Sequence, residues 1–345
     1  MRRSSIAVSL GLSLIAVAAI SRDGIAAAVV PALPDLTAFA VMRTTPGTPP
    51  AAVSVDQAAD ALKDYDVIFV GEWHDHAGNH LAEMALFRAL YARAPGLALS
   101  MEMFERDVQP VVDDYLAARI GEDNLRRRGR AWGNYAESYR PLVEFSKEHA
   151  LPVIAANVPG SVVRCVGREG PGFLATMPAD KRGWAAAELH LADGPYKEKF
   201  RRFMEQDGAH GDDSNRTEEE KKQSAERSFA SQVTRDDTMA ESIFLFRQKN
   251  PGRKIVHVTG AFHVEGSLGT VERLKLRAPD LKIAVIVPVE AEHPESPSLK
   301  PDDAQGADFA FLLKASPPEY VNDAEKKAAE AGMRANFQTQ SRCTL

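Results

Sequence analysis

Short continuous apolar runs alternate along the chain with longer stretches whose apolar residues recur every three or four positions. Residues 66–70 form such a run and predict a buried strand. Residues 79–93 carry Leu81, Met84, Leu90 and Tyr91 at helical spacing and stop at Pro95-Gly96. A second strand is expected over 97–101, a helix over 106–120 closed by Gly121, and a helix over 139–149 leading into a third strand, 152–156. Strands at 254–258 and 281–287 follow, and 308–313 is expected to return as an edge strand. Residues 56–62 read as a short helix. The section 178–248 is more charged and mainly helical, and Thr217-Glu218-Glu219-Glu220 has the form of a capping box.

Strands alternating with helices predict an α/β fold with a mainly parallel sheet flanked by helices. The expected organisation is a signal peptide over 1–28, a flexible lead-in over 29–55 and a single α/β domain over 56–315. That domain carries a largely helical insertion at about 178–248, and a polar tail follows over 316–345.

In parallel sheets, ligands collect beyond the carboxyl ends of the strands. Here those ends are polar. The first strand stops at Gly71 and runs into Glu72 and His74, the second ends at Glu102, the third at Asn157 and the fourth at Gly260 and His263. Parallel strands would bring all of them to one edge, in one pocket. Any single histidine is more often structural; the repeated placement is the stronger signal.

His76 and His80 share a helix face at a spacing that can bind a divalent metal. They lack the intervening glutamate of the zincin motif, and a solvated helix start is the favoured reading of His80. Trp73, Trp132, Tyr135 and Tyr139 read either as core or as a flat wall for a planar ligand, with tyrosine oxygen available to ferric iron.

Composition narrows the partners. A net charge of −6 and a pI of about 5.9 offer no basic face for nucleic acid. The run Arg126–Arg128 reads as a solvated helix face. Arg2 and Arg3, an apolar stretch over 6–20 and two A-x-A sites predict a secretory signal peptide, with an uncleaved anchor as the alternative. No cysteine lies near the cleavage region, so no lipobox is expected, and the expected location is soluble and periplasmic. Cys165 and Cys343 are the only two cysteines. A disulfide is allowed in an oxidising compartment, and two free thiols are at least as plausible.

Five stretches, "VIFVGEWHDHAGNH", "LSMEMFERDVQPVVDDYL", "YRPLVEFSKEHALPVIAANVPGSVV", "FASQVTRDDTMAESI" and "KIVHVTGAFHVEGSLGTVERL", together resemble the ChaN-type haem-binding proteins. That family belongs to a wider group with the Tiki proteases and erythromycin-esterase-like enzymes. The resemblance runs from about Val67 to Val287. Its most specific parts are GExHD at Gly71–Asp75 and GAFH at Gly260–His263, with Gln232, Asp236 and Met239-Ala240 adding to them. It implies an exported protein that binds haem and serves haem or iron uptake, in contact with the uptake machinery of the envelope and as a homodimer holding haem at its interface. The family's members are typically lipoproteins, from which the missing lipobox departs. The resemblance implies tyrosine ligation of the iron, from the Trp132–Tyr139 segment; candidate haem-binding residues are His74, His263, Tyr135, Tyr139 and Asn157, the two tyrosines by position alone. The same group also implies an alternative. Glu72, His74, Glu102 and His263 would serve a hydrolase, either through a divalent metal or through His/Glu acid–base chemistry. A structural or adaptor protein of the envelope ranks last, because it leaves the strand-end pattern without a cause.

Overall fold

In the computed structural model, which describes residues 30–206, 217–300, 302–339 and 343–345, one eight-stranded sheet organises the chain. Its strands are β1 (Phe39–Thr45), β2 (Thr48–Val53), β3 (Val67–Glu72), β4 (Ala98–Glu105), β5 (Val153–Asn157), β6 (Ile255–Gly260), β7 (Ile283–Glu290) and β8 (Phe309–Leu313). They lie in the order β2-β1-β8-β7-β3-β6-β4-β5. The six strands from β8 to β5 run parallel to one another, and β1 is antiparallel to both β8 and β2.

The helices are α1 (Val55–Leu62), α2 (Ala77–Arg93), α3 (Gln109–Leu116), α4 (Glu122–Arg128), α5 (Arg140–Glu148), α6 (Gly160–Glu169), α7 (Phe173–Thr176), α8 (Pro195–Gln206), α9 (Glu218–Lys249), α10 (Thr270–Arg277) and α11 (Asp323–Thr339). They cover both faces of the sheet, which is why the parallel strands are continuous apolar runs rather than alternating ones. Period-two geometry then divides each run between two cores. Ile68, Val70, Leu99, Met101, Val256 and Val258 pack with α1, α2 and α5. Val67, Phe69, Ala98, Ile255 and Val285 pack against Met239, Ala240 and Ile243 of α9 and Val271 and Leu274 of α10.

Several expectations need correction. The flexible lead-in expected over 29–55 instead supplies β1 and β2. Pro49 and Pro50 disguised the hairpin, but β2 is an edge strand, where a residue without an N–H is tolerated. The segment expected as an edge strand, β8, is interior, because β1 covers its free side. The expected insertion over 178–248 is divided. Beyond a 3-10 turn at Arg182–Trp184, residues 178–194 have no regular helix, whereas the C-terminal half of α9 is a buried layer helix of the main fold. The capping box is present: Thr217 Oγ1 accepts from the Glu220 N–H, and Glu220 Oε2 from the Thr217 N–H. The polar tail contains α11 and ends tied to the body, since Cys343 is disulfide-bonded to Cys165 of α6. A separation of 178 residues hid that pairing from any local pattern. The signal segment and the polar break at 208–215 lie outside the described residues.

Candidate functional site at the strand ends

Three adjacent central strands, β3, β6 and β4, end side by side, and their ends build the site. Gly71 makes the first close approach possible. A Cβ there would stand 2.8 Å from Val264 Cγ2 and 3.2 Å from Ala261 Cα, so the turn after β6 can lie directly on β3. Glu72 follows, buried at the strand end. Its Oε1 accepts from the Tyr139 hydroxyl at 2.8 Å and lies 2.7 Å from His74 Nδ1.

The next turn is held by its own side chains. His76 caps α2, its Nδ1 accepting from the Asn79 N–H, while its Nε2 donates to the Lys314 carbonyl. Asn79 accepts from the Trp73 N–H and donates to Glu83 Oε1 at 2.8 Å. His80 is buried, not solvated as expected: its Nε2 donates to the His74 carbonyl at 2.9 Å, and its Nδ1 faces Glu83 Oε2 at 3.1 Å and Glu72 Oε2 at 3.3 Å. Burial and the nearby Glu72 charge push the Glu83 carboxyl up to about 8. Burial works against the His80 imidazolium, but Glu83 and Glu72 outweigh it and raise His80 to about 9.

The second half is centred on His263. Its Nδ1 lies 2.7 Å from Asp236 Oδ1, and its Nε2 lies 3.5 Å from Glu102 Oε1. Asp236 also receives the hydroxyls of Thr270 and Tyr196, and Gln232 reaches both Tyr196 and His263. Glu102 Oε2 is held by the Gly260 N–H at 2.8 Å and the Thr259 hydroxyl at 2.7 Å. Burial disfavours the charged imidazole, yet the two flanking carboxylates overcome it and push His263 up to about 10. Burial likewise works against the carboxylates, and His263 more than compensates, holding Glu102 well below its usual range and lowering Asp236. The result is a buried Asp236–His263–Glu102 chain in the charge-separated form.

Gly260 joins the halves. A Cβ there would stand 2.8 Å from His74 Nε2 and 3.7 Å from Glu102 Oε2, so the His74 ring lies over bare backbone beside Glu102. The His74 side chain is 39% exposed, against 9% for His263, which makes it the outermost imidazole of the set. Trp132 meets its ring edge-on at 4.9 Å, and Asn134 donates to its carbonyl at 2.7 Å. His74 and His263 thus each have Nδ1 on a carboxylate, which fixes the ring, and in His74 this leaves Nε2 for acid–base work or for a ligand.

Glu72, His74, Glu102 and His263 therefore come together. Asn157 does not join them: its side-chain oxygen accepts from the adjacent Val158 N–H at the sheet edge. Tyr135 points into the core beside Phe104, with a buried hydroxyl that has no partner, and burial raises its pKa. Tyr139 is fully buried and spends its proton on Glu72; burial and that carboxylate both raise its pKa. Sequence reasoning missed Glu83 and Tyr196. The His80–Glu83 spacing of three was the available signal for the first; Tyr196 is brought in from α8 by tertiary folding alone. Among the described residues, the group of three donors drawn close enough to hold one metal ion is Glu72, His80 and Glu83.

The structure resembles several solved ones. One describes cofacial heme binding to ChaN of Campylobacter jejuni, matched with a TM-score of 0.56 at 16% identity over 80% of this chain and 97% of that one. Another is an erythromycin esterase mutant, EreC, in its open conformation, with a TM-score of 0.42 at 13% identity over 85% of this chain and 87% of that one. At these identities the ChaN likeness establishes the fold alone. No curated protein matches the chain. The model of the family described as "Haem-binding uptake, Tiki superfamily, ChaN" matches residues 58–274, from α1 through β6 and its histidine turn into α10. The chain belongs to that ChaN family of haem-binding uptake proteins.

Proposed function

We propose that this protein is an exported haem-binding protein serving haem or iron uptake, with haem held at the strand-end face by His74. The observation that carries the reading is the His74–Glu72 pair: an imidazole 39% exposed, its Nδ1 on a buried carboxylate, beside Trp132. Carboxylate-anchored histidine is a common form of a metal's axial ligand. Haem supplies a planar apolar face and an iron that takes such a nitrogen. The residues fit that role better than tyrosine ligation, because both Tyr135 and Tyr139 are buried. The Cys165–Cys343 disulfide favours an oxidising compartment and hence export. Among the described residues no helix is long and apolar enough to cross a membrane. Pairing into a homodimer and handover to envelope uptake machinery complete the proposal.

Haem titration followed by absorbance tests it. Wild-type protein should take up haem stoichiometrically, His74→Ala should abolish the ligand-dependent spectrum, and Tyr135→Phe should leave it unchanged. Haem binding with an identical spectrum in His74→Ala removes histidine ligation by this residue. No haem uptake by the wild type removes the reading altogether.

One observation favours a second reading. The Asp236–His263–Glu102 chain, beside His74, has the parts of a general acid–base centre for hydrolysis. Cleavage of ester or peptide substrates by haem-free protein, lost in Glu102→Gln and His263→Ala, would favour it.

A further inference from the structure

Three polar atoms with ligating lone pairs in their deprotonated forms face one another where the end of β3 meets the start of α2. His80 Nε2–H is committed to the His74 carbonyl at 2.9 Å, so the neutral ring that a metal binds carries its lone pair on Nδ1. Asn79 holds Glu83 by Oε1, at 2.8 Å. Tyr139 and His74 hold Glu72 by Oε1. What remains is Nδ1 of His80, Oε2 of Glu83 at 3.1 Å from it and Oε2 of Glu72 at 3.3 Å from it. Glu72 Oε2 is fully buried and has no hydrogen-bond partner. Glu72 is 1% exposed, Glu83 2% and His80 8%.

The geometry points to a binding site for a zinc-like divalent transition-metal ion at Glu72, His80 and Glu83. Ligand atoms about 2.1 Å from one tetrahedral ion stand about 3.4 Å apart, and those of an octahedral one about 3.0 Å. The two separations from Nδ1 fall in that interval. In their metal-binding forms, with the ligand protons released, two carboxylates and a neutral imidazole carry two negative charges, which a divalent ion neutralises. One nitrogen and two oxygens suit Zn²⁺ or Mn²⁺ better than Ca²⁺, which takes six to eight oxygens. Each ligand's other polar atom is anchored by a partner that turns the free lone pair inward, the arrangement typical of protein metal sites. The ion would be distinct from any iron on His74, yet linked to it: the Glu72 carboxylate that closes this site also receives His74 Nδ1.

The test uses haem-free, EDTA-treated full-length protein without a histidine tag. It is titrated with ZnCl₂ by calorimetry and then assayed for bound metal after dialysis. One Zn²⁺ per chain is expected. Glu83→Gln, which keeps volume and the Asn79 contact, should weaken it by more than roughly 100-fold, beyond the effect of losing an outer partner. His293→Ala should leave the affinity within about threefold, since that exposed histidine contacts none of the three ligands. No zinc on the wild type overturns the proposal, as does equal loss in His293→Ala and Glu83→Gln. Should Glu83→Gln fail to fold, anomalous scattering from zinc-soaked wild-type crystals decides. A peak between Glu72, His80 and Glu83 supports the site, and a peak elsewhere or none overturns it. Because haem is absent throughout, failure here leaves the haem reading untouched.

Discussion

Nδ1 of His74 lies 2.7 Å from Oε1 of Glu72, so the outermost imidazole of the site rests on a carboxylate that is itself buried at the end of β3. Glu72→Gln keeps the shape but weakens the acceptor and removes the charge. Haem affinity should fall by roughly 10- to 100-fold, the usual effect of losing a metal ligand's anchoring partner. An unchanged dissociation constant in a haem titration would show that His74 does not carry the iron.

The two tyrosines make a matched pair. Tyr139→Phe removes a donor to a buried carboxylate and should cost about 1.5–3 kcal/mol. Tyr135→Phe removes a buried hydroxyl without a partner and should be neutral or slightly stabilising. Urea unfolding of both variants measures the difference; equal losses would contradict the hydrogen bonding described.

Two glycines should respond differently. Gly269 has φ +58°, and a Cβ there would stand 2.4 Å from the His263 carbonyl oxygen, which is backbone and cannot move aside. Gly269→Ala should destabilise by about 2 kcal/mol or more. Gly260→Ala meets only the His74 ring, a side chain that can swing away. Its stability cost should be smaller, while haem binding drops. Chemical denaturation alongside a haem titration separates the two effects.

Stability should depend on pH through the His263 chain. His263 is raised from 6.5 to about 10, so its contribution is complete below about pH 6.5 and is lost as pH rises through about 10. Glu102 and Asp236 are lowered from 4.5 and 3.8, so theirs is complete above those values and is lost as pH falls below them. Melting temperature should therefore be highest between about pH 5 and 6.5 and decline towards pH 10. His263→Gln should flatten the alkaline limb and cost about 3–5 kcal/mol near neutrality, because two buried carboxylates lose their counter-charge. A wild-type melting curve that stays level from pH 6 to 10 would contradict this.

The Cys165–Cys343 bond closes a loop of 178 residues' separation and ties the chain end to α6. Its reduction should lower stability by about 2–4 kcal/mol, mainly by freeing the unfolded chain. Melting with and without a reductant measures it, with Cys343→Ser as the variant that should no longer respond.

The sequence by itself determined the fold class, because uninterrupted apolar runs of strand length are stable only where helices cover both faces of a parallel sheet. It also determined which polar residues follow the apolar runs, Glu72, His74, Glu102 and His263, although β4 continues past Glu102 to Glu105. It concealed the β1–β2 hairpin behind Pro49 and Pro50, since an edge strand needs only half its hydrogen bonds and so tolerates residues that read as loop. Only the tertiary structure decided which polar groups pair. Asp236 reaches His263 from a helix that opens as a run of charged residues, and its burial depends on α10 and Tyr196 closing over it. His80 and Tyr139 were decided in the same way. A histidine at a helix start and a tyrosine before one are solvated or buried according to what packs above them. Here His80 lies edge-on against Tyr139 at 5.1 Å, and both turn inward to Glu72. Burial of a polar side chain is a property of contacts made across the chain, and a local pattern carries no record of them.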